Sequence, residues 1–252
     1  MIGHTIILGG AGLLGKAISF AAAKAGYHVV VADFDETRAG TISRQIVQDG
    51  YQSSSICCDV SSSDSILRLI NSAVEQNGRI DAVVNSTYLK GRGYGSKLSD
   101  VCVADFCETI SLQMGSVFAV CQSFSEYFTS VGGGAIINIG SIYGAMAPRF
   151  SIYEGTDMTT PVEYVVTKSA LRQLNKYFAQ YYKKQSVRCN LVSPGGILDR
   201  QPSSFLDLYG EHSGAKGMLD PEDIVAAVMY FISPAAQYVT GQEIFVDDGF
   251  SL

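Results

Sequence analysis

Residues 4–15 read HTIILGGAGLLG, and residues 28–33 read HVVVAD. The first stretch is a short apolar run, four glycines at Gly9, Gly10, Gly12 and Gly15, and then a helical pattern that lasts to about Ala25. Strand, glycine turn and helix in that order make a phosphate cradle. The glycines allow a tight turn and close backbone approach, and the helix start presents free N–H groups to an anion. The second stretch is another strand, and it ends on Asp33, 18 positions beyond Gly15. A carboxylate there accepts from both hydroxyls of an adenosine ribose and repels a 2′-phosphate. The nearest basic residue is Arg38, so the pattern predicts NAD in preference to NADP.

Working outward, strands and helices alternate. A helix is expected over 36–49, a strand over 54–58 and a helix from Ser63 to Asn77. A fourth strand follows over 81–85, a long helix over about 103–129, and a sixth strand over Val187–Val192. A last helix opens at Asp220-Pro221, and a seventh strand covers Gln242–Val246. This alternation predicts an α/β fold: three layers, doubly wound, Rossmann-like, with a mostly or fully parallel seven-stranded sheet. Ligands in such sheets bind beyond the carboxyl ends of the strands. Asp33, Asp59 with Val60, Asn85 and Ser141 all fall at such ends, with Asp59 and Val60 positioned for an adenine.

The stretch 134–168 carries the chemistry. Ala135–Ile139 reads as a buried strand, and Ser141 stands at its exit. Tyr164 and Lys168 are four apart, hence one turn apart on one helical face. That helix is expected to start with Thr160 as N-cap, Pro161 as first residue and Glu163 closing a capping box. A free phenol, with a pKa of about 10, is a poor proton shuttle at neutral pH. A neighbouring ammonium and a bound oxidised nicotinamide are both expected to lower it. The tuned phenol then takes a proton from an alcohol or returns one to a carbonyl, while Ser141 holds the reacting oxygen.

Three loops surround these residues. Residues 86–99 are glycine-rich and basic, and Lys90, Arg92 and Lys97 face either a substrate anion or solvent. Residues 145–160 lie between Ser141 and Tyr164 and must run over or beside the site. Arg149 there is expected to meet an anion, and Tyr153, Glu154 and Asp157 lie within the same insert, the two acids suited to hydroxyls or an amine. Residues 198–219 lack clear periodicity and read as a mobile substrate lid.

The chain has 252 residues, 47% of them hydrophobic, with net charge −6. No linker or repeat divides it, so residues 1–252 are expected to form one dinucleotide-binding catalytic domain. The negative balance argues against general nucleic-acid binding. No apolar run reaches transmembrane length and no signal peptide is evident, so a cytoplasmic protein is expected. The six cysteines include no CxxC pair and read as buried free thiols. The three scattered histidines suggest no metal site.

Together the glycine turn, Asp33, Asn85, Ser141, Tyr164-x-x-x-Lys168, Pro194-Gly195 and the ending Gly241-Gln242-x-x-x-Val246-Asp247-x-Gly249 resemble the short-chain dehydrogenase/reductase family over nearly the whole chain. The resemblance implies Tyr164 as acid/base, Lys168 binding the ribose and lowering the Tyr164 pKa, and Ser141 orienting the substrate. It extends the cofactor contacts to Leu14, Pro194, Gly195 and Ile197, and sets Gln113 where many members carry an active-site Asn. It also implies homodimers or homotetramers built on the two long helices. Within the family, SIYGAMAPRFSIYEGTDMTTPVEY, PGGILDRQP and VDDGFSL resemble oxidoreductases of flagellin modification and the legionaminic-acid pathway, which implies a sugar-like substrate. The departures are the GxxGxxG spacing, Ser86-Thr87 after Asn85, Gln113, Asp199 in place of a Thr, and a 23-residue step from Ser141 to Tyr164. The function expected is hydride transfer between nicotinamide and a secondary alcohol or ketone. A non-catalytic dinucleotide-binding regulator, and an epimerase or dehydratase with transient oxidation, are alternatives on the same residues.

Overall fold

The computed structural model describes residues 2–252. Its strands are β1 (His4–Leu8), β2 (His28–Asp33), β3 (Ser53–Cys57), β4 (Ala82–Asn85), β5 (Gly134–Ile139), β6 (Val187–Pro194) and β7 (Glu243–Val246). They form one sheet in the order β3-β2-β1-β4-β5-β6-β7, and every neighbouring pair is parallel. The helices are α1 (Leu13–Lys24), α2 (Glu36–Gln48), α3 (Ser63–Asn77), α4 (Val103–Ser130), α5 (Val162–Tyr182), α6 (Ser203–Gly210) and α7 (Val225–Ile232).

Both sheet faces are covered, so the strands are apolar on both sides, as parallel strands must be. Ile6, Leu8, Val30 and Val83 pack with α3, α4 and α5 through Leu69, Phe124 and Phe178. Ile7, Val29, Val31 and Val84 point the opposite way, to Ile18 of α1, Ile46 of α2 and Phe231 of α7. A third, smaller core lies above the strand ends. It draws Ile142 and Ile152 from the stretch after β5, Phe205 and Tyr209 from α6, and Phe250 from the chain end.

Register sets the strand ends in a row: Leu8 opposite Asn85, and Asn85 opposite Asn138. The chain reverses its winding between β1 and β4, which opens a crevice between the glycine turn and loop 86–99. Among the described residues no helix is long and apolar enough to cross a membrane.

Several boundaries and contacts differ from expectation. Helix α5 starts at Val162, with Pro161 as N-cap and no side-chain cap. The Thr160 hydroxyl donates instead to the Tyr153 phenol, while Glu163 is turned inward and buried, so no capping box forms. Residues 198–219 are not without structure, since α6 lies within them and buries Phe205 and Tyr209. Of the six cysteines, Cys57, Cys102 and Cys107 are exposed rather than buried.

Candidate active site

The glycine turn closes tightly. Gly9 has φ +70, and a Cβ on Gly15 would lie 2.0 Å from the Gly9 carbonyl oxygen, so neither position admits a side chain without strain or collision. A cavity of about 440 Å³ opens beside Gly9 and Gly12. Asp33, Asp59 and Val60 line it, as do Arg38 and Cys58. Asp33 is fixed by two backbone donors: its carboxylate accepts from the Ala11 N–H at 3.1 Å and the Asp35 N–H at 3.2 Å. Arg38 turns its guanidinium to the Ala11 carbonyl at 2.8 Å. Asp59 accepts from the Ser61 N–H and hydroxyl at 2.9 and 2.7 Å.

Ser86, Thr87 and Tyr88 line this cavity and also a second one of about 350 Å³, so the two share a wall. The departure at Ser86-Thr87 is locally satisfied. Ser86 donates to the Leu8 carbonyl at 2.7 Å, and the Thr87 hydroxyl donates to the buried Asn85 side chain at 2.6 Å. Asn85 therefore braces the turn from beneath and does not itself line either cavity.

Ser141, Tyr164 and Lys168 all line the second cavity, together with Leu14, Pro194, Gly195 and Ile197. Ser141 is extended at φ −169, ψ 152, its Oγ accepts from the Tyr143 N–H at 3.2 Å, and its hydroxyl is in hydrogen-bonding reach of Tyr164. Lys168 is buried and donates to the Ile139 carbonyl at 2.7 Å, with its Nζ 5.6 Å from the Tyr164 ring centre and 5.3 Å from that of Tyr88. Burial lowers its pKa to about 8.

Tyr164 departs from expectation. Its side chain is half-buried overall, yet desolvation around the hydroxyl pushes its pKa up to about 12, against the opposing pull of a hydrogen bond with Ser141. Burial dominates here, and the Lys168 ammonium, which donates to the Ile139 carbonyl, does not offset it. The phenol thus stands protonated, as a donor.

The insert contributes differently from expectation. Tyr153 lines the catalytic cavity. Glu154 and Asp157 are exposed and do not. Arg149 points to the chain end, where it donates to the Phe250 and Leu252 carbonyls at 3.4 and 3.3 Å and lies 5.5 Å from the Phe250 ring. Lys90 sits over Tyr94 at 5.2 Å, and Arg92 pairs with Glu108 at 3.2 Å, so neither reaches the cavity. Gln113 is buried, and its Oε1 accepts from the Leu89 N–H at 2.7 Å, anchoring loop 86–99. Asp199 is exposed and outside the cavity, whereas Gln201 lines it.

Sequence reasoning missed Tyr88, Tyr143, Phe205, Tyr209 and Met218, all on the cavity wall. One signal was available: Phe205 and Tyr209 stand four apart, the spacing of a single helical face. Tyr209 also reaches the site through its hydroxyl, which accepts from the Gly196 N–H at 2.6 Å.

A dinucleotide cradle shares a wall with a Ser/Tyr/Lys cavity on a doubly wound sheet, and this defines a nicotinamide-dependent dehydrogenase or reductase. The chain belongs to the short-chain dehydrogenase/reductase family: a family model described as enoyl-(acyl carrier protein) reductase matches residues 10–251. It is 32% identical to post-translational flagellin modification protein A of Campylobacter coli, covering 98% of this chain and 97% of that one. It is 30% identical to 7alpha-hydroxysteroid dehydrogenase of Escherichia coli K12, covering 98% and 94%. The fold matches a gluconate 5-dehydrogenase from Burkholderia cenocepacia, solved with NADP and tartrate, at TM-score 0.87, 24% identity and coverage of 98% and 94%. The protein is an NAD(P)-dependent oxidoreductase acting on CH–OH groups.

Proposed function

We propose that the protein moves hydride between NAD(H) and a secondary alcohol or ketone in a sugar or sugar derivative. The observation that carries this reading is that Ser141, Tyr164 and Lys168 line one cavity, which shares Ser86, Thr87 and Tyr88 with the cavity beside the glycine turn. A bound nicotinamide supplies or accepts the hydride. Gly9, Gly12 and Asp33 would hold the adenosine and phosphate end, and Leu14, Pro194, Gly195 and Ile197 the end near the reacting carbon.

The residues divide the remaining work. Ser141 donates its hydroxyl proton to the substrate oxygen, in exchange for its bond with Tyr164, and fixes that oxygen's position. Tyr164, protonated in the resting site, gives its proton to that oxygen as a carbonyl becomes an alcohol. In the other direction the phenol must lose its proton, which the Ser141 hydrogen bond and nearby positive charge favour. Lys168 is the candidate ribose-binding cation.

The preference for NAD rests on Asp33, whose carboxylate is held at the cradle's end, and on Arg38 being engaged with a carbonyl there. The relative named for flagellin modification agrees with the branch whose resemblance implies a sugar-like substrate. The relative named for a hydroxysteroid supports a ring-borne hydroxyl as the reacting group.

The test is Tyr164→Phe, assayed with NAD and NADP in parallel over sugars and ring ketones. Turnover should fall by about 10²–10⁴-fold, the usual worth of a positioned acid/base, while dinucleotide affinity stays close to wild type. A fully active variant would remove the assignment.

A further inference from the structure

The walls of the catalytic cavity restrict what enters it. Among the described residues lining it, the one charged side chain is Lys168, which donates to the Ile139 carbonyl and which the reading above assigns to the cofactor ribose. No arginine, histidine, aspartate or glutamate joins it. The cations expected to meet a substrate anion are committed elsewhere, Arg149 to the chain end and Arg92 to Glu108. With Lys168 given to the ribose, a phosphate or carboxylate driven into this cavity would lose its water and meet only neutral donors, which is unfavourable. Met158, Phe205 and Met218 give it an apolar wall instead.

One polar device remains there. Thr160 donates its hydroxyl proton to the Tyr153 oxygen, and the Tyr153 and Tyr143 hydroxyls lie 3.2 Å apart. These three hydroxyls carry three protons and make two hydrogen bonds with one another. If Tyr143 donates to Tyr153, the Tyr153 proton is left over. If Tyr153 donates to Tyr143, the Tyr143 proton is. Either way the spare donor sits on a phenol that lines the cavity. Burial raises the Tyr143 pKa, so it remains a donor across the physiological range. Tyr143, Tyr153 and Tyr164 line the same cavity, so the spare donor and the reacting phenol face one substrate.

We infer that the part of the substrate that reacts is uncharged, with an apolar face and a second oxygen beside the reacting carbonyl or alcohol, and that the Tyr143–Tyr153 pair reads this second oxygen. The inference rests on the oxidoreductase reading above and narrows its substrate class to neutral hydroxy-ketones and diols, phosphorylated ones being excluded. The specificity is built by the insert. Tyr153 reaches the cavity from residues 145–160, whose 3-10 turn Phe150–Tyr153 is pinned through buried Ile152.

The test uses the full chain with NADH and two matched pairs of ketones, 2-hydroxycyclohexanone against cyclohexanone and D-fructose against D-fructose 6-phosphate. The hydroxy-ketone should exceed cyclohexanone in kcat/KM by at least about tenfold, because an analogue lacking the oxygen leaves a buried donor unpaired. Fructose should exceed its phosphate by a similar factor. Tyr153→Phe should bring the hydroxy-ketone to cyclohexanone ratio down toward one, whatever it does to either rate alone. Tyr143→Phe is the second variant if the first does not fold, and it should do the same. Equal or better use of the phosphate, or an unchanged ratio in a folded variant, overturns the inference and leaves the oxidoreductase reading standing. No NADH or NADPH oxidation with any of the four ketones overturns both.

Discussion

Lys168 shows what a candidate site costs its fold. Its pKa falls from 10.5 to about 8 because the ammonium is buried with one carbonyl for company. Between those two values the unfolded chain holds a proton that the folded chain lacks, so this group's contribution to stability rises with pH from about 8 toward 10.5. Below pH 8 the full penalty applies, on the order of 3 kcal/mol. Lys168→Met lifts that penalty but leaves the Ile139 carbonyl without its Lys168 donor, a cost of about 1–3 kcal/mol. The variant should therefore be inactive and yet close to or above wild-type stability at pH 7, and its advantage should shrink steadily to pH 10.5. Urea unfolding of both proteins across that range checks the sign. An advantage that does not change with pH would mean the lysine is not buried as charged. At this scale the sequence identified which residues meet but not their protonation. Ser141, Tyr164 and Lys168 were legible from spacing, whereas the raised Tyr164 pKa follows from desolvation, which no spacing reports.

The unit above the strand ends is a set of elements that lean on one another. Phe250 is fully buried and stacks on Tyr209 of α6, with ring centres 4.2 Å apart and planes 15° apart. Tyr209 in turn accepts from the Gly196 N–H on the cavity wall. Arg149 fastens the insert to the same chain end. The tail thus packs directly behind the cavity wall, since Tyr209 lines the cavity. Phe250→Ala should destabilise the protein by about 3–5 kcal/mol, as large aromatic truncations in a core do, and should raise KM for the ketone more than it lowers kcat. Thermal melting and steady-state kinetics measure the two effects, and unaltered KM in a folded variant would show that the tail does not shape the cavity. This unit is where the sequence was least legible. Thr160, Pro161 and Glu163 spell a capping box, but the Tyr153 phenol competes for the Thr160 hydroxyl and takes it. Arg149 looked like an anion receptor because its partners, the carbonyls of Phe250 and Leu252, lie about a hundred residues away in sequence. Helix α6 escaped notice because eight residues are too few for a periodicity to declare itself.

For the whole molecule, the seven strands and their parallel pairing were legible because short apolar strands alternating with helices leave few topologies open. What the chain does with its outer surface is a separate question, and α4 and α5 answer it. These helices already bury one face against the sheet through Phe124, Phe128, Leu171 and Phe178. Yet Phe118 of α4 is 45% exposed, and Tyr177 and Tyr181 of α5 are 61% and 63% exposed, the two tyrosine rings stacked at 6.2 Å. A helix that needs only one apolar stripe carries a second one here. Exposed aromatic surface of this kind marks an interaction site, and an isologous contact with a second copy of the chain would pair the stripe with itself. The 27.0 kDa chain should therefore sediment as a dimer or larger at micromolar concentration. Tyr177→Arg combined with Tyr181→Arg should set two pairs of like charges against each other across that contact and shift the population toward monomer. Neither position lines the catalytic cavity, so the far-ultraviolet dichroism of the variant should match the wild type. A wild-type protein that sediments at 27.0 kDa throughout, or a double variant that stays assembled, would move the interface to another face.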